Sequence, residues 1–304
     1  MEKRKIGSLE VSLVGLGCNN FGWRIDANGS AAVIDAAIDS GINFLDTADL
    51  YGAGQSEEYL GRALKGRRDK VLIATKFGMK LGDGKEGAKP SYVRQAAEDS
   101  LRRLNTDHID LYQLHQPDPG TPIADTLGAL GELVHAGKVR EIGCSNFSAA
   151  QLREASQVKG VHFASVQNNY SMVHREPEAE VLPECQHLGL AFLPYFPLAN
   201  GLLTGKYRKG QPFPKSSRAE DGFGPKVFTD ENLTLVEGLR KFAESRGHTL
   251  LELAMSWLAS KSVIASIIAG AKTPDQVKAN ASSVNWRLTE ADLAALNGIL
   301  TPVA

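Results

Sequence analysis

Short apolar segments alternate with amphipathic segments along the whole 304-residue chain. Eight times, a run of mostly apolar and β-branched residues is followed by a stretch with helical periodicity. Such runs are typical of parallel strands whose outer face is covered by helices. The eight runs are LVGLGC, FLDTAD, VLIATKF, IDLYQLH, VREIGCSN, SVQNNY, AFLPYFP and SIIAGA. Eight strand–helix units in about 250 residues predict a (β/α)8 TIM barrel.

A doubly wound sheet is the alternative architecture. It would carry GxGxxG after its first strand, and LVGLGCNNFG lacks that spacing. No Pro/Ser-rich linker interrupts the chain, so we predict a single barrel domain over residues 1–304. Before the barrel, KRKIGSLEV predicts an N-terminal β-hairpin that turns at Gly7 and Ser8.

Capping residues mark several expected helix boundaries. We expect a first helix from about Ser30 to Ser40, and we expect Ser56, Ser148 and Thr289 to cap later helices. Glycines that end helices are predicted at Gly41, Gly137, Gly189 and Gly247.

The segment from Leu198 to about Asp230, which follows the seventh strand, is too long for a simple connection. Glycines and prolines are mixed in it with the cations Lys206, Arg208, Lys209, Lys215 and Arg218. Two interpretations stay open, a solvated surface loop and a flap that closes on a phosphate-bearing ligand.

Composition gives no sign of a nucleic-acid-binding, membrane-spanning or metal-binding protein. The net charge of −1 gives no reason to expect nucleic acid or an anionic membrane as partner. No apolar run is long enough to span a bilayer, and MEKRKIGSLEV lacks the apolar core of a secretory signal. The cysteines Cys18, Cys144 and Cys185 are odd in number and lack zinc spacing, so we predict a reduced, cytoplasmic protein without a metal.

Four polar residues, Asp46, Tyr51, Lys76 and His115, lie at or just after the ends of predicted strands, where barrel enzymes place their catalytic groups. A lysine inside a barrel is costly unless it is paired, and Asp46 is the obvious partner of Lys76. A purely structural ion pair is one interpretation. The other is proton transfer, because an ammonium lowers the pKa of a nearby phenol from about 10 and makes it a useful acid. His115 can donate a hydrogen bond to a carbonyl oxygen.

Ordered motifs along the chain resemble those of the aldo-keto reductase family. DTADLYGAGQSEEYLGRAL resembles the family's strand-two signature, VLIATKFG its lysine strand, and SLRRLNTDHIDLYQLHQPDP its histidine strand. REIGCSNF, VQNNYSMVHRE, YFPLANGLLTGKY and IAGAKTPDQVKAN are similar to its cofactor-side segments. The match runs from about Gly7 to Leu300 in the family's order.

The resemblance implies an NADPH-dependent carbonyl reductase. Tyr51 would be the proton donor, Lys76 would lower its pKa, Asp46 would hold Lys76, and His115 would orient the carbonyl. For the nicotinamide, the matching positions are Ser145, Asn146 and Gln167 on the carboxamide and Tyr195 on the ring. Further cofactor-binding positions are Asp46, Cys18, Asn19, Phe196, Pro197, Leu198, Gly201, Leu203, Lys206, Arg218, Gly270, Lys272, Gln276 and Asn280.

The adenosine end departs from one pattern seen in the family. Some branches place a Lys-Ser pair and a downstream arginine around the 2′-phosphate, and this chain has Gly270, Ala271 and Gln276 there. Lys272 is the cation nearest in sequence. We therefore predict NADPH as cofactor, with NADH as the alternative.

Candidate substrate contacts are Trp23, Tyr51, Phe77 and His115, which favour a partly apolar carbonyl compound. The sequence makes no prediction of oligomeric state. Two other functions stay open. One is a Schiff-base aldolase with Lys76 as nucleophile. The other is a non-catalytic regulatory subunit that binds a nicotinamide cofactor, because potassium-channel β-subunits share this fold and resemble the chain around LLTGKY.

Overall fold

Eight parallel strands form a closed barrel in the computed structural model, which describes residues 1–82, 84–214, 219 and 224–300. Each strand pairs with the next along the chain, and the last pairs with the first. The strands are β3 (Val14–Gly17), β4 (Phe44–Asp46), β5 (Leu72–Phe77), β6 (Ile109–Leu114), β7 (Val139–Ser145), β8 (Ser165–Asn169), β9 (Ala191–Tyr195) and β10 (Ile267–Gly270). The predicted (β/α)8 barrel is confirmed, and the doubly wound alternative is wrong. The single-domain boundary of residues 1–304 stays a prediction.

An antiparallel hairpin precedes the barrel, as predicted. Strands β1 (Lys3–Ile6) and β2 (Leu9–Ser12) are joined by Gly7, whose φ of 54° suits glycine. Ile6, Leu9 and Val11 of the hairpin are buried in one cluster with residues of the barrel strands, among them Phe44 and Leu111. The hairpin therefore contributes to the core inside the barrel.

Helices cover the outside of the barrel and follow the strands in order. They are α1 (Ala27–Asp39), α2 (Gln55–Ala63), α3 (Pro90–Leu104), α4 (Ile123–His135), α5 (Ala149–Ser156), α6 (Val181–Leu188), α7 (Gly224–Val227), α8 (Asp230–Ser245), α9 (Leu250–Ala259), α10 (Pro274–Ser282) and α11 (Glu290–Ile299). Within the described part of the chain, no helix has the length and apolar character needed to cross a membrane.

Two of the predicted caps are confirmed and one is wrong. Ser148 and Thr289 each begin a capping box. Ser56, in contrast, lies inside α2, where its hydroxyl donates to the Cys18 carbonyl at 3.1 Å. Gly54 begins that helix in the left-handed region, with φ of 92°.

The boundary predicted for the first helix is also wrong at its start. That helix, α1, begins at Ala27 instead of Ser30, because the Asp26 carboxylate caps it by accepting from the Gly29 amide at 2.8 Å. Positive φ angles at the predicted helix ends confirm the four glycines Gly41, Gly137, Gly189 and Gly247.

The segment after β9 is partly packed rather than a simple solvated loop. It contains a 3-10 helix at Ala199–Thr204 and the short helix α7. Tyr207 is 1% exposed, and its ring meets that of Phe228 with centroids 4.6 Å apart. This contact joins the two ends of the segment, and both residues belong to the main buried cluster that includes residues of the barrel. Lys215 and Arg218, named above, lie outside the described residues.

Candidate active site

A cavity of about 730 Å³ opens at the carboxyl ends of the barrel strands. Asp46, Tyr51 and His115 line it, and Lys76 lies directly behind them with 1% exposure. The structure therefore brings together all four residues predicted at the strand ends. Predicted cofactor contacts on the same wall are Asn19, Ser145, Asn146, Gln167, Tyr195, Phe196, Pro197, Leu198, Gly201, Lys206, Gly270, Lys272, Gln276 and Asn280.

The Lys76 ammonium is paired inside the barrel. It donates to Asp46 Oδ2 at 2.6 Å and to the Thr47 carbonyl at 2.9 Å. Burial alone would lower the pKa of Lys76, but attraction to Asp46 and Tyr51 outweighs it and raises that pKa above its ordinary value. Lys76 is therefore a charged ammonium at neutral pH, with its Nζ 5.2 Å from the centroid of the Tyr51 ring.

Two amide side chains hold the other oxygen of Asp46. Gln167 Nε2 donates to Asp46 Oδ1 at 2.8 Å, and Gln113 Nε2 donates to the same oxygen at 3.3 Å. These bonds leave Oδ2 to Lys76 and fix the carboxylate plane. Sequence analysis missed Gln113, whose signal is its position two residues before His115, on the same face of β6.

Burial controls the acidity of the Tyr51 phenol. It raises the pKa of Tyr51 above its ordinary value, and the nearby Lys76 ammonium lowers that pKa only in part. Lys76 does lower the pKa of Tyr51, as predicted, but burial raises that pKa by more. Desolvation outweighs the charge because the phenol loses most of its water. Tyr51 therefore holds its proton throughout the physiological range.

His115 lies beside Tyr51 as a neutral imidazole. Burial, with a smaller contribution from the Lys76 charge, lowers the pKa of His115 to about 3. A neutral ring offers one N–H donor and one acceptor. Its backbone is fixed, because the His115 amide donates to the Phe77 carbonyl at 2.8 Å. The ring is therefore suited to donate a hydrogen bond to a substrate oxygen while it remains neutral.

The residues predicted around the nicotinamide form one hydrogen-bonded set. Asn146 donates to the His115 carbonyl at 3.0 Å and accepts from the Tyr195 hydroxyl at 2.8 Å. Ser145 Oγ donates to the Gln167 carbonyl at 2.7 Å. Asn146 has φ of 62°, a conformation that asparagine tolerates better than most residues. These amides and hydroxyls can pair with a carboxamide, so they fit the nicotinamide chemically.

The far end of the cavity is built on β10 and α10. Gln276 Oε1 accepts from the Lys272 backbone amide at 2.7 Å and fixes the Lys272 backbone at the start of the helix. At Gly270, a Cβ would lie 3.3 Å from Asn19 Oδ1, so a side chain there would narrow the cavity. Gly270 leaves space in the cavity, and the cation Lys272 lies beside the N-terminus of α10. These features fit a phosphate group of a dinucleotide.

Three predicted contacts lie in the core instead of on the cavity wall. Phe77 is fully buried and stacks on Tyr112, with ring centroids 4.7 Å apart. It follows Lys76 in β5, and successive strand residues point to opposite faces, so its ring faces the helices. Cys18 is fully buried with Sγ directed at the Leu16 carbonyl, and Leu203 is also fully buried.

One further predicted contact stands apart from the cavity wall. Trp23, predicted to contact substrate, is 60% exposed and carries the Arg24 guanidinium 4.3 Å from its ring centroid. Arg218 lies outside the described residues.

Sequence analysis missed several lining residues. Among them, Asn20 follows the predicted Asn19, and Met79 comes three residues after Lys76, so proximity in sequence was the available signal. The others include Asn200, Thr204, Leu251 and Ala279. No group of three or more potential metal ligands occurs among the residues that the structure describes.

The model of the Aldo/keto reductase family matches residues 13–301, so this chain belongs to that family of oxidoreductases that use nicotinamide cofactors. The resemblance inferred from the motifs is confirmed.

Two curated relatives come from Bacillus subtilis (strain 168). The aldo-keto reductase YhdN is 37% identical over 302 residues, which cover 96% of this chain and 91% of the relative. The uncharacterized oxidoreductase YqkF is 36% identical over 305 residues, which cover 97% of this chain and 95% of the relative.

Two solved structures share the whole fold. The glycerol dehydrogenase AKR11B4 from Gluconobacter oxydans aligns with a TM-score of 0.86 at 32% identity. The holo form of aldo-keto reductase AKR11C1 from Bacillus halodurans aligns with a TM-score of 0.83 at 33% identity. Each alignment covers 99% of this chain and 97% of the other.

Proposed function

We propose that the protein reduces aldehyde or ketone carbonyls to alcohols with NADPH. The observation that carries the proposal is the charged Lys76 directly behind a protonated Tyr51, beside a neutral His115 on one cavity wall. Two hydrogen-bond donors and a buried cation in this arrangement favour a substrate oxygen that gains negative charge during the reaction.

The roles of the four residues follow from their protonation states. The bound cofactor supplies the hydride. Tyr51 donates its proton to the carbonyl oxygen, and Lys76 stabilises the phenolate that forms. Asp46 keeps Lys76 charged, and His115 donates a hydrogen bond that orients and polarises the carbonyl. Each role uses a group in the state that its pKa gives it at neutral pH.

The cavity wall supplies partners for the whole dinucleotide. Ser145, Asn146 and Gln167 would hold the carboxamide, and Tyr195 would stack on the ring. Lys206 and the residues after β9 would cover the pyrophosphate. Lys272, Gln276 and Asn280 would hold the adenosine end, with Lys272 as the cation for a 2′-phosphate.

The ion pair argues against the aldolase alternative. A Schiff base requires a neutral amine, and the pKa of Lys76 is raised, not lowered. The regulatory-subunit alternative predicts cofactor binding without turnover. We keep a small-molecule carbonyl substrate and a reduced, cytoplasmic location as predictions.

A substrate panel tests the proposal. Purified protein with NADPH is offered aliphatic and aromatic aldehydes and ketones, and the loss of NADPH absorbance is followed. We expect turnover with at least one class. Cofactor binding without any turnover would support the regulatory alternative, and trapping of Lys76 by borohydride with a carbonyl compound would support the aldolase.

A further inference from the structure

Two loops extend the cavity wall beyond the catalytic residues. Residues 78–89 connect β5 to α3, and residues 115–122 connect β6 to α4. Met79 of the first loop lines the cavity, and His115 stands at the start of the second. The distance between Met79 and His115 therefore depends on how the two loops are held together.

The Asp118 carboxylate joins these loops. Its Oδ2 accepts from the Ala88 backbone amide and from Thr121 Oγ1, both at 2.8 Å. Its Oδ1 accepts from the Gly120 backbone amide at 2.9 Å. Ala88 belongs to the first loop, and Gly120 and Thr121 belong to the second. The bond from Ala88 crosses between the loops, and the two bonds from Gly120 and Thr121 fix the carboxylate within its own loop.

The backbone of the first loop is shaped around this carboxylate. The Gly87 amide donates to the Gly78 carbonyl at 2.9 Å and closes the base of the loop. Gly87 has φ of 82°, and a Cβ there would lie 2.7 Å from Asp118 Oδ2. Glycine at position 87 therefore leaves room for the carboxylate next to the strand ends.

Asp118 is ionised at neutral pH. Partial burial would raise its pKa, but hydrogen bonds from Ala88, Thr121 and Gly120 outweigh burial and lower it. Hydrogen bonds to an ionised acceptor are stronger than those between neutral groups. The link between the loops is therefore charge-assisted.

We propose that Asp118 is a positioning residue for substrate selectivity. It holds the loop that carries Met79 against the loop that begins at His115. Met79 then stays at a fixed distance from His115 on the cavity wall. This inference rests on the proposed carbonyl reduction. It involves no contact between Asp118 and either substrate or cofactor.

The test compares Asp118→Ala and Asp118→Asn with Asp292→Ala. Asp292 is a matched control, because its carboxylate also accepts from a backbone amide and a hydroxyl, both of Thr289, but it does so on α11, an outer helix. For each variant, kcat and KM are measured for propanal and for a naphthyl ketone. The Kd of NADPH and the exchange of the Ala88 and Gly120 amide protons are measured in parallel.

In Asp118→Ala we expect both amide protons to exchange about tenfold faster or more, because each loses a charged acceptor. The KM for propanal should rise more than kcat falls. Because the loop that carries Met79 is no longer held, the preference for propanal, measured as the ratio of kcat/KM for propanal to kcat/KM for the naphthyl ketone, should drop roughly threefold or more. Asp118→Asn keeps one acceptor oxygen and should recover part of the preference. The Kd of NADPH should stay within about twofold.

Two results would overturn the inference. One is an Asp118→Ala preference no different from that of Asp292→Ala, and the other is unchanged amide exchange. A wild-type protein that turns over no aldehyde or ketone of the substrate panel would instead contradict the proposed function, and the selectivity role would fail with it.

Discussion

The rings of Tyr51 and His115 meet edge to face, with centroids 5.9 Å apart and planes inclined by 82°. Both rings line the same cavity wall. A phenol and a neutral imidazole at this separation can both donate a hydrogen bond to the same carbonyl oxygen. The activity should therefore depend on both, but in different ways.

Tyr51→Phe should remove most of the reductase activity and leave cofactor binding nearly intact. The substitution deletes the proton donor and little volume, so kcat and kcat/KM should fall together by roughly 10²–10⁴-fold. Single-turnover kinetics and NADPH titration would measure the two effects. Activity within about twofold of wild type would rule out Tyr51 as the acid.

Lys76→Met should be as inactive as Tyr51→Phe, whereas Asp46→Asn should be milder. Reduction requires a protonated Tyr51, so the rate falls as pH rises through the Tyr51 pKa. Asp46 raises that pKa electrostatically, and its removal should therefore move the alkaline limb to lower pH. A pH–rate profile of Asp46→Asn that coincides with wild type would contradict this network.

Titration of His115 should cause no fall in rate on the acidic side of the pH–rate profile. Its pKa of about 3 keeps the ring neutral from pH 5 upward. His115→Ala should cost about 10²-fold in kcat, because one donor to the developing charge is lost. The profile would be measured from pH 5 to 8. A wild-type limb near pH 6.5 that disappears in His115→Ala would show that the ring titrates.

Asp49 should make the free energy of unfolding fall as pH rises from about 4 to 7. Burial, together with repulsion from Glu57, raises the pKa of Asp49 to about 7. The folded protein then keeps a proton that the unfolded chain releases near pH 4, so the stabilisation is present below pH 4 and lost by pH 7.

Asp49→Asn tests this linkage because the amide stays neutral. At pH 8 the variant should be more stable than wild type, by about 4 kcal/mol at most for a shift of this size. At pH 4 the difference should be smaller. Urea denaturation at both pH values measures it, and equal differences would contradict the raised pKa.

NADPH should bind more tightly than NADH, with Lys272 providing much of the difference. Exposed lysine–phosphate pairs are worth about 1 kcal/mol or less, so the preference should be modest and should weaken in high salt. Cofactor titrations of wild type and Lys272→Ala would show it. An unchanged NADPH/NADH ratio would remove Lys272 from this role, and a wild-type preference for NADH would contradict the proposed cofactor.

The sequence was sufficient for the barrel and for the four catalytic candidates, because strand periodicity and polar strand ends are local patterns. Strand alternation places Phe77 on the face opposite Lys76, so the prediction that Phe77 contacts substrate did not follow the pattern that identified Lys76. Ser56 was misassigned because its hydroxyl bonds to the Cys18 carbonyl, 38 residues away. The net pKa of Tyr51 depends on desolvation, which only the folded surroundings determine.

Strand β3 completes the barrel by pairing with β10, and the register places Gly17 opposite Gly270. These strands lie about 250 residues apart in the chain, so the wall cannot close during synthesis until its final strand has emerged. Both glycines line the cavity. A dinucleotide bound there would contact both β3, the first barrel strand to be synthesised, and β10, the last. Its binding would stabilise the pairing of these two strands against opening.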